Sequence, residues 1–215
     1  MIVLHNYFRS SASYRVRIAL NLKGLSYNYV PVHLNRNGGE QFSEGFQKLN
    51  PQSLVPVMDD GETRTSQSMA ILEHLEERYP SVRLLPEGLA DRAYVRSLAM
   101  HVACDVHPLN NLRVLKYLTG KLKVSDEQKS EWILHWIATG LEALETETSS
   151  SPRRGRFCFG NSPTLADCCL VPQVFSAERF GLKLDAYPTL MSIARECDAM
   201  DAFRSAHPSA QPDSE

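Results

Sequence analysis

The fold of this chain is decided by the stretch Arg9-Ser10-Ser11-Ala12-Ser13-Tyr14-Arg15-Val16-Arg17-Ile18-Ala19-Leu20-Asn21-Leu22. It follows a short apolar run, Ile2-Val3-Leu4, which predicts a strand, and its own apolar residues then recur at helical spacing. Serines crowd the junction, where hydroxyl groups can cap free backbone amides and the positive end of a helix dipole favours an anion. The sequence therefore predicts a strand, a turn and a helix that form an anion site.

The length and the charge of the chain limit its possible partners. With 215 residues it can form one large domain or two small ones, and 23 Lys and Arg against 25 Asp and Glu leave it nearly neutral. This balance favours neither nucleic acid nor an anionic membrane as a partner. No apolar run reaches the roughly 20 residues of a membrane span, and the first residues lack a signal-peptide pattern. We therefore expect a cytoplasmic protein.

The five cysteines, at positions 104, 158, 168, 169 and 197, do not suggest a reactive site. Their number is odd, and they show neither a CxxC pair nor zinc-ligand spacing with histidine. We expect reduced thiols without a catalytic role, and no metal site.

The first half of the chain alternates between strand and helix patterns. Strands are predicted at 27–34, 54–58 and 62–65, and helices at 41–49 and 69–79. Pro56 falls inside the third strand, which argues against a central position for it. The weakly patterned stretch 80–88 marks a boundary, so we predict a domain at 1–83, a linker at 84–89 and a second domain at 90–215.

The second half shows helical patterns only. Helices are predicted at about 90–119, 125–149, 164–180 and 188–204. Thr164 and Asp167 stand three residues apart before an apolar run, which predicts a reciprocal capping box. The closing residues 207–215 are too polar to predict a packed element, so we expect a flexible tail.

Taken together, these segments resemble the glutathione transferase superfamily. The opening stretch looks like the SSCSxRVRIAL signature of its zeta class, the maleylacetoacetate and maleylpyruvate isomerases. Further matching segments are Leu49-Asn50-Pro51, Val55-Pro56, Gln67 to Glu73, His107 to Asn111, Ala166 to Gln173, Glu178-Arg179-Phe180 and Gln211-Pro212-Asp213. One departure is clear, because Ala12 stands where the signature has cysteine. This removes any thiol role at that position and leaves the neighbouring serine hydroxyls.

The resemblance implies a fold, a cofactor and an assembly. The fold is an α/β thioredoxin-like first domain with a four-stranded mixed sheet, followed by an all-α second domain. The cofactor is glutathione, and the assembly is a homodimer.

The serines before the first helix are the predicted catalytic residues. A hydroxyl donor and the helix N-terminus would stabilise the thiolate of glutathione, which is the reactive form. We assign this hydrogen bond to Ser10, with Ser11 as the alternative. The residues alone leave open whether both serines simply cap the helix.

The resemblance implies further glutathione contacts in both halves of the chain. Val55 would offer its backbone to the cysteinyl part, and Pro56 would follow a cis peptide bond. Gln67 and Ser68 would hold the γ-glutamyl carboxylate at a helix start, where Ser68 could equally be a cap, and Gln41 would reach the glycyl end.

The resemblance also implies cofactor contacts from three residues of the second domain. His107 and Asn111 are placed one turn apart on a helix that His107-Pro108 interrupts, with Arg113 beyond them. A purely structural histidine is the alternative for His107.

The implied activity is the cis-trans isomerisation of a maleyl diacid, maleylacetoacetate, in aromatic catabolism. Arg9 and Arg179 are assigned to the two carboxylates, because a planar guanidinium binds two oxygens, although solvated surface pairs are the alternative. Maleylpyruvate is the nearest alternative substrate. A general zeta-class transferase and a non-catalytic glutathione-binding scaffold are the other functions considered.

Overall fold

The computed structural model describes all 215 residues and consists of two compact units. The first contains residues 1–84 together with 199–215, and the second contains residues 85–198. The sequence-based division differs from this in two respects, since it set residues 84–89 apart as a linker and left the final residues with the helical domain. The chain instead returns to its first unit at residue 199.

A four-stranded mixed sheet forms the centre of the first unit, as predicted. Its strands are β1 Ile2–Asn6, β2 Tyr27–Pro31, β3 Val57–Asp59 and β4 Arg64–Ser66, in the order β2-β1-β3-β4. β1 pairs with β2 in parallel, while β3 runs antiparallel to both β1 and β4.

The expectation that the third strand is not central is wrong. β3 begins at Val57, one residue after Pro56, and pairs on both of its sides. Because the proline precedes the first paired residue, its missing N–H costs the ladder no hydrogen bond. A proline at this place therefore does not exclude a central strand.

Three helices accompany the sheet: α1 Ser11–Leu22, α2 Glu44–Leu49 and α3 Ser68–Arg78. α1 is buried along most of its length, including the charged residues Arg15 and Arg17. A short 3₁₀ turn at Glu40–Phe42 precedes α2, so the predicted helix 41–49 is divided in two. α1 and α3 pack directly against each other.

The second unit contains helices α4 Leu89–Met100, α5 Leu112–Gly120, α6 Asp126–Ser150, α7 Leu165–Arg179 and α8 Pro188–Asp198. None of the helices in the structure combines the length and the apolar character that a membrane crossing requires.

The single helix predicted at 90–119 is wrong, although its interruption near His107-Pro108 is confirmed. A π-helical turn occupies His101–Val106, a 3₁₀ turn follows at His107–Asn110, and Asn111 is extended. Pro108 lacks an N–H and so cannot continue the regular hydrogen-bond ladder. The break also places Val106 against Gly140 of α6. A Cβ atom added to Gly140 would lie 2.3 Å from the Val106 side chain, so only glycine fits there.

The predicted capping box at the start of α7 is confirmed. Asp167 is fully buried and accepts hydrogen bonds from the backbone N–H of Thr164 at 2.7 Å and of Cys158 at 2.9 Å. It also accepts from the Thr164 hydroxyl at 2.8 Å. Asp167 therefore holds both the N-cap residue Thr164 and the preceding loop that contains Cys158.

The closing residues 207–215 are partly packed, so the expectation that they form no packed element is wrong. They follow α9 Asp201–Arg204 and contain a 3₁₀ turn at Pro208–Ala210. Gln211 is buried because its amide donates to the carbonyls of Ser205 and His207, at 2.8 and 2.9 Å. Polar side chains pack here because they satisfy backbone groups.

Asp167→Ala should lower the free energy of unfolding by about 2 to 4 kcal/mol, because it removes a helix cap and leaves two buried N–H groups without an acceptor. Urea denaturation would measure this. Asp167→Asn, which keeps one acceptor oxygen, should lose less. A loss below about 0.5 kcal/mol in the alanine variant would contradict the structural role.

Candidate functional site

Ser10 is the N-cap of α1, and its geometry leaves a donor free. The Oγ atom accepts from the N–H of Ser13 at 3.2 Å, and the Ser10 N–H donates to the carbonyl of Tyr7 at 3.0 Å. A hydroxyl carries one hydrogen besides its lone pairs, so capping does not consume the donor. Capping and donation to a ligand, which the sequence left as alternatives for Ser10, are therefore compatible.

The N-terminus of α1 favours an anion. Its first turn contains no acidic residue, and the N–H groups of Ser11 and Ala12 have no acceptor within the chain. Free amides at the positive end of a helix dipole attract negative charge. The Ser11 side chain is half-buried and lies beside these amides.

The backbone around Val55 is fixed but unpaired. The peptide bond between Val55 and Pro56 is cis, as predicted. The Val55 side chain packs against the cluster of Val32, Phe46 and Val57. Neither its N–H nor its carbonyl makes a hydrogen bond within the protein. Both groups are thus available to the backbone of a bound peptide.

The N-terminus of α3 forms a second position for an anion. Ser68 is buried, and its Oγ accepts from Nη1 of Arg15 at 3.1 Å. Gln67 has a positive φ of 71°, and its side-chain amide donates to the side-chain oxygen of Gln52 at 2.7 Å. The first turn of α3 contains no acidic residue.

Sequence reasoning did not identify Arg15 as part of this position. An arginine within an otherwise buried helical stretch was the available signal, since a fully buried guanidinium needs hydrogen-bond acceptors. Its acceptor, Ser68, lies 53 residues further along the chain. The contact connects α1, which carries Ser10, to the start of α3.

Gln41 is buried and has a free acceptor. Its Nε2 donates to the carbonyl of Leu34 at 3.4 Å, while its Oε1 has no partner in the protein. Gly39 lies against the Gln41 side chain and has a φ of 114°. A Cβ atom added to Gly39 would lie 2.6 Å from Nε2 of Gln41, so there is no room for a side chain. An unsatisfied buried oxygen is costly, so it marks a place where a ligand could donate.

The two predicted carboxylate-binding arginines are both exposed and both lie over a neighbouring ring. The guanidinium carbon of Arg9 is 4.9 Å from the ring centre of Phe8. In the second unit, Arg179 ends α7 and is 4.3 Å from the ring centre of Phe180. Each ring restricts the movement of the arginine side chain that lies over it.

The predicted grouping of His107 and Asn111 on one helix face is wrong. His107 lies in a 3₁₀ turn, and Asn111 is extended at the N-cap of α5. The Asn111 Oδ1 atom accepts from the N–H of Arg113 at 3.1 Å, so it has a structural role as a cap. Arg113 is exposed in the first turn of α5.

The five cysteines form no disulfide bond, and only Cys104 is exposed. Burial raises the pKa of the thiols of Cys158 and Cys197, with further elevation from nearby Asp167. Protonated, buried thiols are poor nucleophiles.

The chain is similar to known proteins of the glutathione S-transferase family. Residues 4–83 match the family model described as the glutathione S-transferase N-terminal domain. The chain is 51% identical to a Vibrio cholerae protein named "Probable maleylacetoacetate isomerase", over 99% of this chain and 98% of that one.

Two solved structures are similar over nearly the whole chain. One is the holo structure of a maleylpyruvate isomerase, described as a bacterial glutathione S-transferase in the zeta class, with 47% identity and a TM-score of 0.96 over 99% of this chain and all of the other. The second is a maleylacetoacetate isomerase from Methylobacterium extorquens AM1 with bound malonate and glutathione. It has 42% identity and a TM-score of 0.95, with 99% of each chain covered.

Ser10→Ala should lower the free energy of unfolding by about 1 kcal/mol, because it removes the cap from the N–H of Ser13. Ser10→Gly should cost only a few tenths, since glycine is tolerated at an N-cap. Ser11→Ala is the matched control and should change stability by less than about 0.5 kcal/mol. Urea denaturation of the three variants checks this order, and equal values for Ser10→Ala and Ser11→Ala would refute the capping role.

Proposed function

Because the chain belongs to the zeta class of the glutathione transferases, together with maleylacetoacetate and maleylpyruvate isomerases, we propose that it is a glutathione-dependent cis-trans isomerase of a maleyl diacid. The single observation that carries the proposal is the N-terminus of α1, where a hydroxyl donor and free amides meet without an acidic residue. This arrangement suits a thiolate. Maleylacetoacetate is the proposed substrate, and maleylpyruvate is the alternative.

The residues of the first unit fit glutathione. The tripeptide carries a γ-glutamyl carboxylate, a central cysteinyl backbone and a glycyl end, and the unit offers a polar position suited to each. These are the start of α3 at Ser68, the unpaired backbone of Val55 and the unsatisfied oxygen of Gln41. We propose that these residues hold the cofactor.

Glutathione would supply a thiol whose conjugate base adds to the cis double bond, permits rotation and leaves again from the trans product. Ser10 would donate its hydroxyl hydrogen to the sulfur, while the amides of Ser11 and Ala12 contribute the field of the helix end. Because position 12 is alanine, no protein thiol participates there. Lowering the pKa of the bound thiol is therefore the task of one hydroxyl and one helix N-terminus.

Ser68 would act on the γ-glutamyl carboxylate in the same manner. Its oxygen already accepts from Arg15, so its own hydrogen is left to donate outward. A hydroxyl that accepts from a guanidinium is also polarised into a stronger donor. The side chain of Gln67 is engaged by Gln52, so we propose that Gln67 contributes through its backbone.

Arg9 and Arg179 are proposed to bind the substrate carboxylates. Both are exposed and backed by a ring, which favours bidentate contact with an oxyanion. For His107, Asn111 and Arg113, a role in cofactor binding remains a proposal from the resemblance. Assembly as a homodimer and a cytoplasmic location are likewise proposed on the family alone.

Purified protein should isomerise maleylacetoacetate only when glutathione is present, which loss of the enone absorbance would follow. Maleylpyruvate is shorter by one methylene, which is worth about 1 to 3 kcal/mol in a pocket, or roughly 10 to 200-fold in kcat/KM. The ratio of the two kcat/KM values decides the substrate. Inactivity toward both diacids, with rapid conjugation of ordinary electrophiles, would instead establish a general transferase.

Ser10→Gly should raise the pKa of the bound glutathione thiol by about 1 to 2 units, because a hydrogen bond to a charged group is worth about 1.5 to 3 kcal/mol. It should also lower kcat by about 10²-fold or more. The pH dependence of thiolate absorbance in the bound cofactor measures the first effect. Ser11→Ala is the control, and a loss confined to that variant would assign the role to Ser11 instead.

A further inference from the structure

The turn at residues 7–10, which ends at Ser10, is held by side chains from distant parts of the chain. Tyr7 and Phe8 are buried, so their backbone groups need partners within the protein. The Phe8 carbonyl accepts from Nη2 of Arg17 at 2.9 Å, and the Phe8 N–H donates to Oδ2 of Asp213 at 3.2 Å. The Tyr7 carbonyl accepts from both Ser10 N–H and Nη1 of Arg17.

Arg17 joins this turn to the segment that returns from the second unit. Its side chain is fully buried, and its Nε donates to the carbonyl of Ala206 at 3.0 Å. Nη1 donates to Oδ1 of Asn6, at the end of β1, at 3.0 Å. One guanidinium therefore fixes the strand end, the turn and the returning segment relative to each other.

Asp213 holds the same turn through its carboxylate, which accepts from the Phe8 N–H. Its second oxygen, Oδ1, accepts from the hydroxyl of Tyr29 on β2. Burial raises the pKa of Tyr29, and the hydrogen bond to Asp213 raises it further, so the phenol keeps its donor hydrogen at neutral pH. The two carboxylate oxygens thus bridge β2 and the Phe8 amide.

We propose that residues 206–213 are a positioning element of the Ser10 site, acting through Asp213 on Phe8 and through Ala206 on Arg17. The inference rests on the role proposed for Ser10, because Asp213 contacts the turn and not Ser10 itself. The Ser10 N–H is bonded to the Tyr7 carbonyl, so a shift of the turn changes the direction of the hydroxyl. Catalytic groups tolerate displacements of only about 0.5 Å or 10 to 20°.

Asp213→Ala should lower kcat by about 10-fold and raise the pKa of the bound glutathione thiol by about one unit, while the KM for glutathione changes less than about 3-fold. One unit corresponds to a tenfold loss of thiolate at a pH well below the thiol pKa, so kcat is compared at such a pH. Tyr29→Phe removes only the second support of Asp213 and should show a smaller shift in the same direction. The measurements are steady-state kinetics and titration of thiolate absorbance.

Glu215→Ala is the matched control in the same segment. Glu215 pairs with Arg36 and lies 3.2 Å from Nε2 of His33, and it makes no hydrogen bond to the backbone of Tyr7 or Phe8. This variant should keep the wild-type kcat and thiol pKa. An equal effect of Glu215→Ala and Asp213→Ala would mean a general loss of packing and would overturn the proposal.

A double-mutant cycle separates this inference from the proposal on Ser10. If Asp213 acts through Ser10, adding Asp213→Ala to Ser10→Gly should raise the thiol pKa no further. A pKa of the bound thiol in Ser10→Gly equal to that in the wild-type protein would refute the role of Ser10. A raised value there, combined with an unchanged value in folded Asp213→Ala and Tyr29→Phe, would refute the positioning role alone. Additive shifts in the double variant would refute it as well.

Discussion

The buried guanidinium of Arg17 is the interaction on which the rest of the first unit depends. Burying a charge costs several kcal/mol unless directed hydrogen bonds compensate for the lost water. Here Arg17 donates to the side chain of Asn6 and to three backbone carbonyls, which come from the turn and from the returning segment. A lysine could not replace it, because a single ammonium does not reproduce the planar fork of donors. The conformation of the turn before Ser10 follows from this constraint.

The two anion positions of the unit use the same physical arrangement. At the start of α1, the oxygen of Ser10 is occupied by the Ser13 amide, and at the start of α3 the oxygen of Ser68 is occupied by Arg15. Each hydroxyl therefore retains its hydrogen for a ligand, and each stands at a helix end without acidic residues. Such donors match a thiolate and a carboxylate, which are the two charged ends that glutathione would bring to these positions.

The parts of this structure that could be predicted from sequence are local in the chain. The strands, the opening helix and the box of Thr164 and Asp167 were predictable because each depends on residues within a few positions. The π-helical turn after α4, which precedes the predicted interruption at His107-Pro108, and the contacts of Arg15 and Asp213 were not. They depend on close approaches between residues tens to hundreds of positions apart, such as Phe8 with Asp213. Periodicity carries no information about such contacts.

The expectation that the polar residues 207–215 form no packed element was wrong for a related reason. A polar stretch predicts disorder when it has nothing to bury, but here its groups meet backbone atoms that would otherwise lack partners. The need is strongest at the turn before Ser10, where Tyr7 and Phe8 are buried although they lie in no strand or helix. Ala12 makes this dependence more consequential. With no thiol at that position, the proposed stabilisation of a bound sulfur would rest on the direction of one hydroxyl and the nearby amides, and in our proposal side chains far along the chain fix that direction.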